Sequence, residues 1–195
     1  MNQASIARIS QGDQLEFAHL MSTYNSGLYS FARGFVNSSE VAEEIISDVF
    51  LKLWKNRGKL LEIEDLKNYL FIAVRNSCLT AIKRKKQNEI KLDELPSYYI
   101  DRIEVPKEEG FDSELIDALN EAIDCLPPKC KLVFSMAKLQ GFKRKEIANV
   151  LNISEKTVEY HLKTAVTKLI EQVGNTKKHP TREGMRLLLL LFNIF

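Results

Sequence analysis

Two apolar stripes of helical spacing, separated by a short polar turn, occupy residues 141–169 and constrain the fold more than any other part of the chain. The residues of the first stripe that are expected to face inwards are Ile147, Ala148 and Leu151. Ala148 is small at a point where a second helix must approach closely. Asn152 follows at the turn, where a left-handed backbone is needed and asparagine or glycine tolerates it. The pattern predicts a helix-turn-helix.

The second helix of this motif is predicted to begin after Ser154, whose hydroxyl can cap it, with Glu155 in the first turn. Ile153 is expected to fill the corner between the helices. The residues predicted to be buried on one face are Val158, Leu162, Ala165 and Leu169. The residues predicted to face outwards are Lys156, Thr157, Tyr160, His161 and Lys163. A recognition helix presents such side chains to the major groove, and 138–168 carry seven basic against three acidic residues. Duplex DNA binding is therefore favoured over an ordinary pair of packed helices.

The rest of the chain is also predicted to be helical, because apolar residues recur every three or four positions and no strand pattern occurs. The predicted helices span 14–36, with Gly27 as a possible bend, 40–54, 65–86, 113–126 and 129–139. The fold class is all-α, with two small helical domains joined by a flexible linker. The predicted segments are an N-terminal domain (14–86), an acidic linker (87–112), a C-terminal domain (113–172) and a basic then apolar tail (173–195).

Charge and cysteine content narrow the class of protein. The linker, with eight acidic against three basic residues, separates two basic segments, which makes polyanions plausible partners. The three cysteines, Cys78, Cys125 and Cys130, form neither an even disulfide set nor a metal-binding pair. The first dozen residues contain no secretory signal, and the apolar run 187–192 is too short to span a membrane. We expect a reduced, cytoplasmic protein with no metal and no cofactor, whose tail packs back on the protein or docks on a partner.

Six segments, in order along the chain, resemble the extracytoplasmic-function (ECF) subfamily of bacterial RNA polymerase sigma factors. Those similar to the family's promoter-melting domain are LYSFARGF (28–35), EVAEEIISDVFLKLW (40–54) and LKNYLFIAVRN (66–76). Those similar to its C-terminal domain are LPPKCKLVF (126–134), LQGFKRKEIANVL (139–151) and ISEKTVEYHLKTAVTKL (153–169). The resemblance implies a dissociable polymerase subunit that directs the core enzyme to specific promoters and melts the minus-ten region.

By this resemblance, the predicted helix 40–54 binds the clamp helices of the largest subunit of core RNA polymerase. The residues expected to make this contact are Asp48, Phe50, Leu51 and Trp54. An acidic and aromatic face can pair with a basic coiled coil, while an aromatic anchor supplies buried area. For Phe50 and Trp54, packing in the protein's own core is the alternative.

The resemblance also places unstacked minus-ten bases on the helix that follows Asp65. The residues that offer aromatic, polar and cationic contacts there are Lys67, Asn68, Tyr69, Phe71, Arg75, Asn76, Lys83 and Arg84. Aromatic faces stack on unpaired bases, and cations neutralise phosphate. Packing is the better explanation for at least one of Tyr69 and Phe71, and Ile72 stands where an arginine is common in the family. The preceding loop, 55–64, is expected to hold a flipped base.

The minus-thirty-five duplex is assigned to the helix-turn-helix. The residues expected to contact it are Arg144, Lys145, Ser154, Lys156, Thr157, Tyr160, His161 and Lys163. Lys143 stands where the family commonly has a serine or threonine cap, so the first helix of the motif is not assigned a capping residue from the sequence. The resemblance further implies promoter DNA and an anti-sigma factor as partners, and no small-molecule substrate.

Three other classes of function fit part of the sequence. A helix-turn-helix transcription regulator that is not a polymerase subunit would share the motif. The N-terminal receiver domain of a response-type regulator would need alternating strands and helices, and only helices are predicted here. A metal-dependent nuclease could use Glu43, Glu44 and Asp48, but no histidine or cysteine cluster accompanies them. A purely structural helical adaptor would show no promoter dependence. No catalytic residue is predicted.

Overall fold

The computed structural model describes residues 3–86 and 113–174. Its elements are α1 (Gln3–Ser10), α2 (Gln14–Arg33), α3 (Ser39–Lys55), a 3-10 helix (Arg57–Glu62), α4 (Leu66–Lys86), α5 (Ser113–Asp124), α6 (Pro128–Lys138), α7 (Arg144–Leu151) and α8 (Glu155–Gly174). No strand occurs in the two described ranges, which confirms the all-α prediction. The chain divides into two compact units, residues 1–99 (unit 1) and 100–195 (unit 2). The predicted linker 87–112 and the apolar tail lie outside the described residues.

Helix α1 precedes the predicted start of the N-terminal domain at residue 14 and was missed by the sequence analysis. Ile9 is its single fully buried side chain, and the helix packs against the 3-10 helix and α2. Its only large apolar residues are Ile6 and Ile9, too few to establish a repeat along the sequence, and such a short helix depends on tertiary contacts. Gly12 makes the turn into α2 with a positive φ of 100°. The Asp13 carboxylate then caps α2 by accepting the N–H groups of Leu15 and Glu16 at 3.0 and 3.1 Å.

Capping residues set the starts of the two following helices in unit 1. The Ser38 hydroxyl accepts the N–H of Val41 at 3.2 Å, and the Asp65 carboxylate accepts the N–H of Asn68 at 3.0 Å. Helix α2 runs without interruption through Gly27 and ends at Arg33. The predicted loop 55–64 contains the 3-10 helix.

Aromatic packing forms the centre of unit 1, where α2, α3 and α4 meet. The ring of Phe31 on α2 lies 5.0 Å from that of Phe71 on α4 and 5.1 Å from that of Phe35, centroid to centroid, both edge to face. Phe31 is 1% exposed. Buried leucines on each neighbouring helix, such as Leu28 and Leu70, complete this core.

In unit 2, the long helix α8 packs against α5, α6 and α7. Pro128 is the first residue of α6, one residue before the predicted start at 129; its missing N–H would have no partner in a first helical turn. Gly141 follows α6 with a positive φ of 62°. Lys131 is almost fully buried on α6, and its ammonium pairs with the Asp124 carboxylate at 2.7 Å. This ion pair keeps the buried charge partnered.

Replacing Phe31 by alanine should destabilise unit 1 by about 3–5 kcal/mol, because it removes a buried ring and leaves a cavity between α2 and α4. The measurement is urea unfolding of the full chain followed by fluorescence of Trp54, the only tryptophan, which lies in unit 1. As a control, Tyr69→Ala removes a ring that is 45% exposed and should cost less than about 1 kcal/mol. Equal losses for the two variants would contradict the assignment of Phe31 to the core.

Candidate polymerase and nucleic-acid interfaces

The exposed face of α3 carries two of the four residues predicted to bind core polymerase. Asp48 is exposed, and the Leu51 side chain is 49% exposed. Phe50 is corrected to a core residue, because it is 2% exposed and its ring lies 6.4 Å from that of Phe17. A buried ring cannot offer contact area to a partner.

Trp54, the fourth predicted residue, lies half-buried between two side chains from neighbouring elements. Its ring is 4.9 Å from that of Phe17, and the Arg57 guanidinium lies over it at 4.7 Å from the ring centroid. Arg57 also donates to the Trp54 carbonyl oxygen at 3.2 Å. A cation stacked on an indole face restricts the ring. Arg57 and Phe17 therefore set how Trp54 is presented, a role that the sequence analysis did not assign to either.

A groove of about 890 Å³ runs between α3 and α4 in unit 1. The charged and polar residues that line it from the two helices are Glu44, Asp48, Lys52, Asn76, Ser77, Thr80 and Arg84. Its apolar lining includes Val41, Ile45 and Ala81. The groove brings Asp48 from the predicted polymerase-binding set beside Asn76 and Arg84 from the predicted minus-ten set. From the sequence, these two sets were predicted to form separate surfaces.

Helix α4 presents most of the predicted minus-ten residues but not Phe71. That ring is 2% exposed because it packs on Phe31, so Phe71 is corrected from a base-stacking to a core residue. Tyr69 is 45% exposed and is the aromatic face that remains available. The other predicted residues of this helix are half-buried (Lys67, Asn68 and Arg75) or exposed (Asn76, Lys83 and Arg84). The buried Oδ1 of Asn68 has no hydrogen-bond partner among the described residues.

The 3-10 helix before α4 has one side chain in the core and its neighbour in solvent. Leu60 is 1% exposed, whereas Leu61 is 57% exposed. This segment lies in the loop 55–64 that is predicted to hold a flipped base. Leu61 is the exposed apolar side chain that the structure adds to this segment.

The helix-turn-helix has the predicted turn. Asn152 follows α7 with φ 56° and ψ 50°, in the left-handed region. The Ser154 hydroxyl accepts the N–H of Thr157 at 3.0 Å and so caps α8. Ile147 and Ala148 are buried as predicted, but Leu151 is only half-buried and Val150 takes the third inward position.

The start of α7 is stabilised without a serine or threonine cap. The backbone N–H of Lys143 donates to the Glu146 carboxylate at 2.7 Å, which is one half of a capping box. A carboxylate in the first turn also suits the positive end of the helix. Glu146 therefore compensates for the lysine that stands where the family commonly has a hydroxyl.

Most side chains predicted to contact the minus-thirty-five duplex lie on the outer surface of the motif. Those that are exposed are Arg144, Lys145, Ser154, Lys156, Tyr160 and Lys163. Tyr160 is 65% exposed, the largest exposed aromatic surface of α8. Thr157 is half-buried.

His161 differs from the expectation, because it is half-buried at the contact between α6 and α8. Its Nδ1 lies 3.6 Å from the Cys130 thiol. Burial lowers the pKa of His161 below its ordinary value of 6.5, and the nearby Lys129 adds to this effect. The imidazole is therefore neutral at pH 7. Burial also raises the pKa of the Cys130 thiol.

Glu159 lies on the same outer surface and was not predicted as a site residue. Its carboxylate accepts from the Lys163 ammonium at 2.7 Å, and the Arg144 guanidinium is 3.9 Å away. A hydrogen bond from Lys163, with further contributions from Arg144 and Lys156, lowers the pKa of Glu159. The Glu159 carboxylate therefore lies among cations on the outer face of the motif.

Comparison with known proteins matches both units. Residues 20–88 match the model of sigma-70 region 2, and residues 116–169 match that of sigma-70 region 4. The ECF RNA polymerase sigma-E factor of Haemophilus influenzae is 23% identical over 165 residues, which cover 80% of this chain and 87% of that protein. The chain belongs to the ECF sigma factors. The ECF sigma factor SigW of Bacillus subtilis is 23% identical over 177 residues, covering 82% of this chain and 89% of SigW.

The fold agrees with this family. The solved structure of the sigma factor RpoE with the anti-sigma factor NepR, from Bartonella quintana, matches with a TM-score of 0.53 at 16% identity, covering 83% of this chain and 99% of that one. As a sigma factor, the chain is a transcription initiation factor. Within the described parts of this sigma factor, no group of three or more potential metal ligands occurs, and no helix is long and apolar enough to cross a membrane.

In this sigma factor, Asn152→Ala should destabilise unit 2 by about 1 kcal/mol or more. Residue 152 has a φ of 56°, where a Cβ is strained, and alanine lacks the polar side chain that lets asparagine offset this strain by a local hydrogen bond. The matched variant Asn152→Gly keeps the left-handed turn without that strain and should unfold close to the parent. The measurement is thermal unfolding of the full chain followed by circular dichroism. An alanine variant as stable as the glycine variant would contradict the left-handed turn.

Proposed function

We propose that this sigma factor binds core RNA polymerase through exposed residues of α3, holds unstacked minus-ten bases on α4, and recognises the minus-thirty-five duplex with α8. One observation carries the proposal. On each of the three helices, the side chains suited to a partner are exposed, while the aromatic or aliphatic residues beside them are buried in the unit's own core. The matches to regions 2 and 4 support the same division of labour.

The polymerase-binding surface consists of Asp48, Leu51 and the exposed part of Trp54. Leu51 offers apolar area that binding to a coiled coil would remove from water. Asp48 supplies a charge that a basic partner would attract. Arg57 restricts the Trp54 ring before binding, so little conformational entropy of this side chain is lost when the partner binds.

Minus-ten recognition rests on Tyr69, the exposed aromatic ring of α4. An unpaired base can stack on this ring, while Asn76, Lys83 and Arg84 lie on later turns of the same helix and can contact the backbone. These contacts favour single-stranded over duplex DNA, because a paired and stacked base offers neither its face nor its edge to α4.

Minus-thirty-five recognition uses Tyr160, Lys156 and Lys163 on α8, with Arg144 and Lys145 at the start of α7 as phosphate contacts. His161 contributes less to DNA binding than the sequence implied, because its imidazole is half-buried and neutral. Binding should weaken as salt is raised, since each neutralised phosphate releases counterions.

We also propose that an anti-sigma factor regulates this protein and that it acts in the cytoplasm. The sigma factor RpoE in the similar structure is bound to the anti-sigma factor NepR. A comparable partner here would cover the exposed face of α3 and so compete with core polymerase. The protein acts by binding alone, with no catalytic residue, cofactor or small-molecule substrate.

Run-off transcription with purified bacterial core polymerase, on fragmented genomic DNA from the source organism, tests the proposed function. Discrete transcripts that require this protein are expected, and their upstream sequences should share two spaced elements. If the helix-turn-helix binds duplex DNA but the protein neither binds core polymerase nor adds transcripts, the regulator interpretation replaces the sigma factor.

Leu51→Ala should weaken binding of the full chain to core polymerase about five- to thirtyfold, because it removes apolar area from the contact surface. Leu15→Ala is the matched control: Leu15 is 84% exposed on α2, also in unit 1, and is not assigned to the interface. Titration of labelled protein with core polymerase measures both affinities, and urea unfolding checks that both variants fold. Equal affinities for the two variants would remove Leu51 from the interface.

A further inference from the structure

Glu159 is a negative charge beside cations that this surface can offer to DNA, and Glu155, one turn earlier on α8, is also exposed. Glu159 lies three residues after Lys156 and four before Lys163, so all three side chains fall along one stripe of α8. Arg144, the first residue of α7, is a further cation close to the Glu159 carboxylate. The Glu159 side chain is 42% exposed, so Lys163 and Arg144 pair with it without burying it. The carboxylate therefore remains accessible at the junction of the two motif helices.

We infer that Glu159 is a base-recognising residue, whose carboxylate accepts a hydrogen bond from the exocyclic amino group of a cytosine in the major groove of the minus-thirty-five duplex. This inference rests on the proposed function, because it requires α8 to enter that groove. It adds a specificity residue to the cationic contacts already described.

The chemistry of the groove supports cytosine as the ligand. A carboxylate can only accept hydrogen bonds, and phosphate oxygens are also acceptors, so Glu159 is repelled by the backbone that attracts its neighbours. In the major groove, cytosine presents an N4 amino donor, and Glu or Asp is the side chain suited to it. Guanine presents only acceptors at its major-groove edge and would repel the carboxylate.

The two cations make this contact possible. Lys163 and Arg144 offset the repulsion between the carboxylate and the DNA, and they restrict its orientation before binding. The hydrogen bond from Lys163 also lowers the pKa of Glu159, so the group is ionised at neutral pH and available as an acceptor. When DNA binds, either cation can turn towards a phosphate while the other remains beside the carboxylate.

Selection from a promoter library tests the inference with the assembled holoenzyme. A promoter recovered by run-off transcription is randomised across its minus-thirty-five element. Holoenzyme is assembled with the parent protein or with one of three variants, Glu159→Ala, Glu159→Gln and Glu171→Gln. The DNA that each holoenzyme binds is then sequenced. Glu171 is an exposed carboxylate three turns further along α8, so its replacement matches the charge change without touching the stripe. Circular dichroism checks that each variant is folded.

The parent should select cytosine at one position, and Glu159→Ala should reduce that preference about five- to tenfold, the low end of the discrimination expected of one base contact. Glu159→Gln should shift the preference towards adenine, because an amide pairs with the adenine edge. Glu171→Gln should retain the cytosine preference.

Two other outcomes are distinguishable. If Glu159→Ala binds every library member more tightly and keeps the parent's base preferences, Glu159 acts only as a general charge and this inference is wrong while the sigma factor function stands. If the parent holoenzyme selects no promoter sequence over core polymerase alone, the proposed function fails, and the inference fails with it.

Discussion

The proposed interfaces of this sigma factor depend on how each helix is rotated about its own axis, and a few buried side chains fix that rotation. Successive residues of an α-helix are turned by about 100°, so residues two apart point to nearly opposite sides. Because Phe71 packs on Phe31, Tyr69 faces solvent on α4. In the same way, the buried Val158 directs Tyr160 outwards on α8. The core of each unit therefore decides which aromatic side chain is exposed at the surface.

The functional faces combine charges of both signs rather than forming uniformly basic patches. In unit 1, Asp48 and Arg84 line one groove between α3 and α4. In unit 2, the Glu159 carboxylate is held by Lys163 and Arg144. A purely cationic surface would bind any DNA sequence, since phosphate contacts carry no sequence information. In the proposed function, acceptors among the cations would let the surface discriminate between bases.

Much of the fold could be predicted because strong local signals mark the helix ends. Ser38, Asp65 and Ser154 each cap a helix through a hydrogen bond to a backbone N–H, and all three hydroxyl or carboxylate groups are typical N-cap residues. Helix α1 was missed because its eight residues contain only two large apolar side chains, Ile6 and Ile9, which are too few to establish a repeat. The helix exists through its contacts with α2 and the 3-10 helix, which lie elsewhere in the chain.

The sequence by itself determined the helical class, the left-handed turn at Asn152 and, through six family-like segments, the sigma factor identity. Only the tertiary structure decided that Phe50 and Phe71 are core residues while Leu51 and Tyr69 are exposed, and that Glu159 lies between two cations. The physical reason is that periodicity defines a helical stripe but not what packs against it. A ring in that stripe has the same spacing whether a neighbouring helix or a partner molecule covers it.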